Sequence, residues 1–363
     1  MTMLRTLIWL TLLSAAASGQ EPAAASGQEP AAASAQESTA ASAQGSAAAS
    51  AQEVAVIVHK WDNSVGFYDS NSGEQLAKVD VGVKPHEMAL SADRRLAYIT
   101  NYGVNSYTEQ EEGGNSISIL DLVRREKVGE IELGKYHRPH GIELGRSGRL
   151  YVTCDFPPSL LVIDPTRRAV LREYAVGQNL PHMVMITRDE KKAYTSNSGS
   201  GTVTAIDLGA GKVIRNIDIG GVPMGMAMSK DERILYAANR TGNRVAIIDL
   251  RRDEVSGWIE IQGQPVRAGL TPDGRNLIVT LIESGEVAVI DASSRIVRRR
   301  IRTGANSEGI GIDPSGRFGY VSAQGENKVV KFSLKDLRPL LEIKTAARPD
   351  PIAIIKIQPS TKR

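Results

Sequence analysis

One interval governs most of this sequence. From Val54 onward the same kind of segment returns about every 42 residues. Asp69, Asp121, Asp164, Asp207, Asp249 and Asp291 fall 52, 43, 43, 42 and 42 residues apart. Each closes an alternating apolar run (FYDS, ILDL, VIDP, AIDL, IIDL, VIDA), and KFSL stands as a degenerate seventh copy. An Asp in that place bonds the backbone of the turn ahead of it. Upstream in each unit lies a second turn, such as SADRR, GRSGR, SKDER, TPDGR or DPSGR, several with a glycine for the positive φ of a tight hairpin. Each unit therefore reads as four short strands, and a period of about 40–50 residues built from strands is the mark of a β-propeller. The expected fold class is all-β: seven four-stranded antiparallel blades over 54–363. The first unit lacks its opening strand, and RPDPIAIIKI (Arg348–Ile357) supplies the missing pattern, so the C-terminal strand is expected to complete blade 1 and leave no strand edge open.

The second strands of the units read YITN (98–101), YVTC (151–154), YTSN (194–197), YAAN (236–239), IVTL (278–281) and YVSA (320–323). In these motifs, followed by VxVID-type runs, the chain resembles the YVTN-repeat (YncE-like) family of propellers over essentially all of 54–363. That resemblance implies the seven-bladed fold but not one function, because the family includes enzymes, binding proteins and surface-layer components. Related propellers with lactonase or lyase activity place their sites at the channel end considered below.

Residues outside the repeat have another character. Arg5 precedes LIWLTLLSAAAS, the layout of a secretory signal peptide over 1–18 and too short for a membrane span. Residues 19–53 repeat an octapeptide (SGQEPAAA, SAQESTAA, SAQGSAAA) whose composition offers too little apolar surface to offset ordering, a flexible spacer. The mature chain is thus expected to be periplasmic or extracellular, with no membrane span. Cys154 is the single cysteine, so no internal disulfide forms and a buried free thiol is expected. The net charge is +3, and since the first 53 residues hold one Arg and four Glu, +6 falls on the remainder, a mild surplus that permits an acidic partner. There is no phosphate-binding glycine loop, GxSxG elbow, CxxC or HExxH pair.

Three of the five histidines follow a proline at the head of a first strand: KPHEMAL, RPHGIEL and LPHMVMI. In register with the post-proline position stand His86, His140, His182, Met224, Val266, Glu308 (after Ser307 in place of proline) and, reading from Pro351, Ile352. First strands line a propeller's channel, so these seven are expected to form one tier at its mouth. His86, His140, His182 and Glu308 make a candidate ligand set for a divalent metal, with zinc, copper, iron or nickel suited to imidazole. The ends of the second strands (His59, Asn101, Cys154, Asn197, Asn239, Leu281, Ala323) are expected to form a second tier at the same face. There His59 and His137 are candidate proton carriers, and Asn101, Asn197, Asn239, Arg138 and Arg267 candidate ligand-binding groups. Arg267 has a second reading, a salt bridge across the channel. The expanded blade 2 loop YGVNSYTEQEEGG (Tyr102–Gly114) is positioned to overhang the mouth. The expected function is binding of a small polar or anionic ligand through a divalent metal, with hydrolase, lyase or oxidase chemistry as the enzymatic form. The other class is a non-catalytic scaffold that recognises a protein, a cell-envelope polymer or single-stranded nucleic acid.

Overall fold

A computed structural model describes residues 52–357, so the signal peptide over 1–18 and nearly all of the spacer over 19–53 lie outside the described residues. Strand begins at Gln52, two residues ahead of the expected boundary. Among the described residues, twenty-eight strands form seven separate four-stranded antiparallel sheets. First strands of successive blades touch all the way round, including the strand of blade 7 (Ser307–Ile312) against Pro349–Ile357 and the latter against Pro85–Leu90, so the ring is closed. Closure is as expected: Pro349–Ile357 is the innermost strand of blade 1, paired antiparallel with Gln52–His59.

The repeated residues explain why each unit folds alike. The Asp that ends the third strand in blades 1 to 6 caps its turn, where blade 7 has Ser333; Asp121 accepts the amides of Val123 and Arg124 at 2.9 and 2.8 Å, and Asp291 those of Ser293 and Ser294 at 3.1 and 2.8 Å. These bonds pull the Asp291 carboxyl down to about 2. The apolar residues of third strands and of the Y-V-T-N strands are almost wholly buried, packed face to face between neighbouring blades. The hydroxyl of the same strands stitches blades together. Thr153 Oγ1 accepts the Gly141 amide of its own blade at 2.8 Å and donates to the His182 carbonyl of the next at 2.8 Å. Thr100 does the same for Glu87 and His140, Ser196 for Met183 and Met224, and Thr280 for Arg267 and Glu308. A buried hydroxyl with both a donor and an acceptor partner fixes geometry at low cost. It holds the backbone beside the post-proline residue of four blades.

Candidate functional site: a histidine-lined channel mouth

The inner ring forms as the proline register implies, with one correction. His86, His140, His182, Met224, Val266 and Glu308 line one cavity of about 180 Å³. The blade 1 member, however, is Asp350 and not Ile352. Pro349, not Pro351, is opposite His59 in the ladder, as Pro85 is opposite Asn101 and Pro181 opposite Asn197. Arg348 takes the same left-handed backbone (φ 58) that Lys84, Arg138, Leu180, Gln264 and Asn306 adopt at the equivalent place. Two prolines stand in RPDP, and the constant step of 42 from Glu308 selects the first.

The three imidazoles stack along one arc. Ring centroids of His86 and His140 lie 4.1 Å apart, and those of His140 and His182 3.9 Å apart. All three Nδ1 atoms are sealed from solvent without a partner. His140 and His182 therefore present Nε2 to the cavity. His86 Nε2 is 3.2 Å from Lys60 Nζ. An ammonium only donates, so His86 carries its proton on Nδ1. Burial, followed by the positive charges of Lys60 and Arg267, holds the His86 pKa well below the usual imidazole range. Burial and the neighbouring histidines do this for His140, and burial and Arg267 for His182. The arc is neutral at pH 7.

Beneath it the channel is closed by charge. Arg267 Nη2 bonds Glu87 Oε1 and lies 3.5 Å from Asp350 Oδ2, which takes Lys60 Nζ at 2.9 Å; Lys60 in turn is 4.0 Å from Glu308 Oε1. Acid and base alternate through five side chains, all nearly or wholly buried. Desolvation raises the pKa of Glu87 and, aided by Asp350, that of Glu308. Of the two readings of Arg267, the salt bridge across the channel is the one observed, and its guanidinium lies outside the lining of the cavity.

The outer ring is displaced by one residue from its expected place. Its members are Lys60, Tyr102, Asp155, Ser198, Arg240, Ile282 and Gln324, each immediately after the expected residue, and all seven line the cavity. Successive side chains in a strand point to opposite sides, so the strand-end residues turn into the blades. Asn101 donates to Ser116 and Ser118 at 2.9 and 3.1 Å; Asn197 donates to Thr202 and Thr204; Asn239 donates to the carbonyls of Ile219 and Gly220. None reaches the cavity, and their expected ligand-binding role is corrected to one of tying turns to strands. His59 is the blade 1 counterpart: fully buried, bonded by Ser64 Oγ at 2.9 Å and Tyr68 Oη at 3.1 Å, its pKa pushed down to about 4 chiefly by burial. It is no proton carrier for the channel. Within the ring, Tyr102 Oη donates to Asp155 Oδ2 at 2.6 Å, and burial lifts Asp155 to about 7.

The long blade 2 loop does overhang the mouth, with Asn105, Ser106 and Tyr107 lining the cavity. Arg138 anchors it. This buried side chain donates to the carbonyls of Tyr107, Glu109 and Glu111 and stacks 4.9 Å from Phe156, so it too is occupied structurally and does not face the cavity. His137 sits beside the loop, 3.1 Å from Glu112, outside the cavity lining.

The expected metal set does not converge as a unit. Among the described residues the histidine and carboxylate ligand atoms that gather within 4.8 Å of one another are those of His86, Glu87 and His140. Lys60 stands beside Glu308 and His86, and Glu308 is not in that group. Sequence reasoning missed Lys60, Asp350 and Arg240 as parts of one site. The 42-residue step identifies Asp350, and strand alternation identifies Lys60 and Arg240.

A family model described as the cytochrome D1 heme domain matches residues 159–360. No curated protein matches the chain. Among solved structures, the periplasmic gluconolactonase PpgL of Pseudomonas aeruginosa is similar at 16% identity and TM-score 0.68, covering 85% of this chain and 100% of its own. The dihydro-heme d1 dehydrogenase NirN is similar at 16% identity and TM-score 0.62, covering 82% of this chain and 74% of its own. Hydrazine synthase of Kuenenia stuttgartiensis aligns at 19% identity and TM-score 0.63, over 77% and 96%. At such identities the likeness establishes the fold.

Proposed function

This chain belongs to the cytochrome D1 heme domain family, and on that footing we propose that it is an exported propeller whose channel mouth binds a small anionic molecule. One observation carries the reading. Most charges around the cavity already have partners, but Arg240 and Arg348 face it with no carboxylate within ion-pair distance among the described residues. A guanidinium fork is suited to a carboxylate. Beside these cations, the Nε2 atoms of His140 and His182 face the cavity, where an imidazole nitrogen exchanges a hydrogen bond with a ligand hydroxyl, as on a hydroxylated acid or its lactone. The periplasmic gluconolactonase of Pseudomonas aeruginosa shares this fold, which makes such molecules natural first probes.

The heme in the family's name does not fit the cavity. Its volume of about 180 Å³ is near that of a cavity that accepts benzene, roughly 150 Å³, and below the roughly 300–1,000 Å³ typical of larger ligands. The chemistry proposed here uses none. A divalent metal is a second reading, favoured by the approach of His86, Glu87 and His140 and opposed by Arg267 and Lys60, which hold positive charge against the same atoms. Elemental analysis of the purified chain beside a His86→Ala/His140→Ala variant decides it: stoichiometric metal that disappears in the variant supports the metal form. The anion reading is tested by calorimetric titration of the full chain with small carboxylates. Saturable binding that an Arg240→Gln/Arg348→Gln variant abolishes is expected, and absence of binding by every carboxylate tried would overturn it.

A further inference from the structure

The placement of the two uncommitted guanidinia narrows the ligand class, and this step rests on the anion-site reading above. Arg240 follows the second strand of blade 5, and Arg348 leads into the first strand of blade 1. In a ring of seven they stand three blades apart one way and four the other, close to opposite sides of the mouth. Arg240 is held through Nε with both Nη groups open, and Arg348 is held through its ring stacking and Nη1 with Nη2 open, among the described residues. Arg240 Nε donates to Gln264 at 3.0 Å; Arg348 stacks 4.4 Å over the Trp61 ring and donates to Gln324 through Nη1 at 3.3 Å. Positioned in this way, a guanidinium loses little freedom on binding.

Between them the wall is of two kinds. On the three-blade side Met224, Val266 and Ile282 present apolar surface, with Glu308 beyond them engaged by Lys60. On the four-blade side run the neutral imidazoles of His86, His140 and His182. The Asn105–Tyr107 loop lines the cavity on the side of the mouth. A single carboxylate would satisfy one guanidinium and leave the other bare above an apolar wall. We propose that the ligand is a short dicarboxylate, one carboxylate forked by Arg240 and the other by Arg348, with its carbon spacer against Met224, Val266 and Ile282 and any hydroxyl turned to the Nε2 atoms of His140 and His182. The cavity limits the spacer to a molecule of roughly four to six carbons.

The test is isothermal titration of the full chain with the unbranched dicarboxylates from malonate to adipate, each against the monocarboxylate of equal carbon number. The expected result is a length optimum within the series, with at least tenfold tighter binding than the matched monocarboxylate. Arg240→Gln and Arg348→Gln should each reduce the best dicarboxylate to the monocarboxylate level, and Arg→Lys at either place should restore only part, since charge is kept and the fork lost. Circular dichroism and a melting curve on every variant separate loss of binding from loss of fold. Equal affinity for the two series, or a preference that survives either Gln substitution, overturns the dicarboxylate assignment while leaving a simple anion site standing. Absence of binding in both series overturns both readings.

Discussion

Replacing Arg267 by Met is the most searching perturbation of the channel floor. The substitution keeps most of the side chain's bulk and removes the cation that bonds Glu87 and neighbours Asp350, both buried. Leaving such acids uncompensated costs about 3–5 kcal/mol. A chain of roughly 300 ordered residues has an unfolding entropy of about 0.6 kcal/mol/K, so the melting temperature should fall by about 5–8 °C. The loss should depend on pH with a definite sign. Burial already raises the Glu87 pKa above its unfolded value, and without Arg267 it rises further. A raised acid contributes stability that is complete below the unfolded value, near 4.5, and is lost as pH climbs through the folded one. The variant's deficit should therefore be smallest near pH 5 and widen toward pH 8. Adding Glu87→Gln should recover part of the loss and flatten that dependence, as a double-mutant cycle measures. Scanning calorimetry at several pH values provides the readout. A single variant that melts with its parent at pH 8 would mean that water screens these charges, and the sealed floor would have to be abandoned.

Three further outcomes follow from the fold. Thr153→Val removes the hydroxyl that joins the Gly141 amide to the His182 carbonyl and should cost about 1–3 kcal/mol in urea denaturation; a neutral result would dismiss the stitching role. His59, with its pKa pushed down to about 4, is stable as the neutral ring, so stability falls as pH drops from 6.5 toward 4, by about 3 kcal/mol in all. Between pH 7 and 5 the parent should lose about 2 kcal/mol more than His59→Asn, and equal losses would refute the assignment. A chain ended at Ala347 lacks the innermost strand of blade 1 and should show no cooperative unfolding transition; a sharp one would contradict closure by that strand.

Several features were legible before any coordinates because they repeat. Asp at the third-strand end, the hydroxyl in Y-V-T-N and the proline at the head of the first strand each recur in most blades, and local turn and pairing chemistry acts on each copy alike. That much determined seven blades, closure by the C-terminal strand and the arc of His86, His140 and His182. Side-chain facing at strand ends was not legible to the same depth. Because orientation alternates, an error of one residue exchanges channel for blade interior, which is why His59 and the three asparagines belong to the blades while Lys60 and Arg240 face the cavity. The floor was further still from view. Glu87 and Arg267 are 180 residues apart, and only closing the ring brings them and Asp350 into one desolvated space. There the pairing of charge, and not any local motif, decides which groups are left free to meet a ligand.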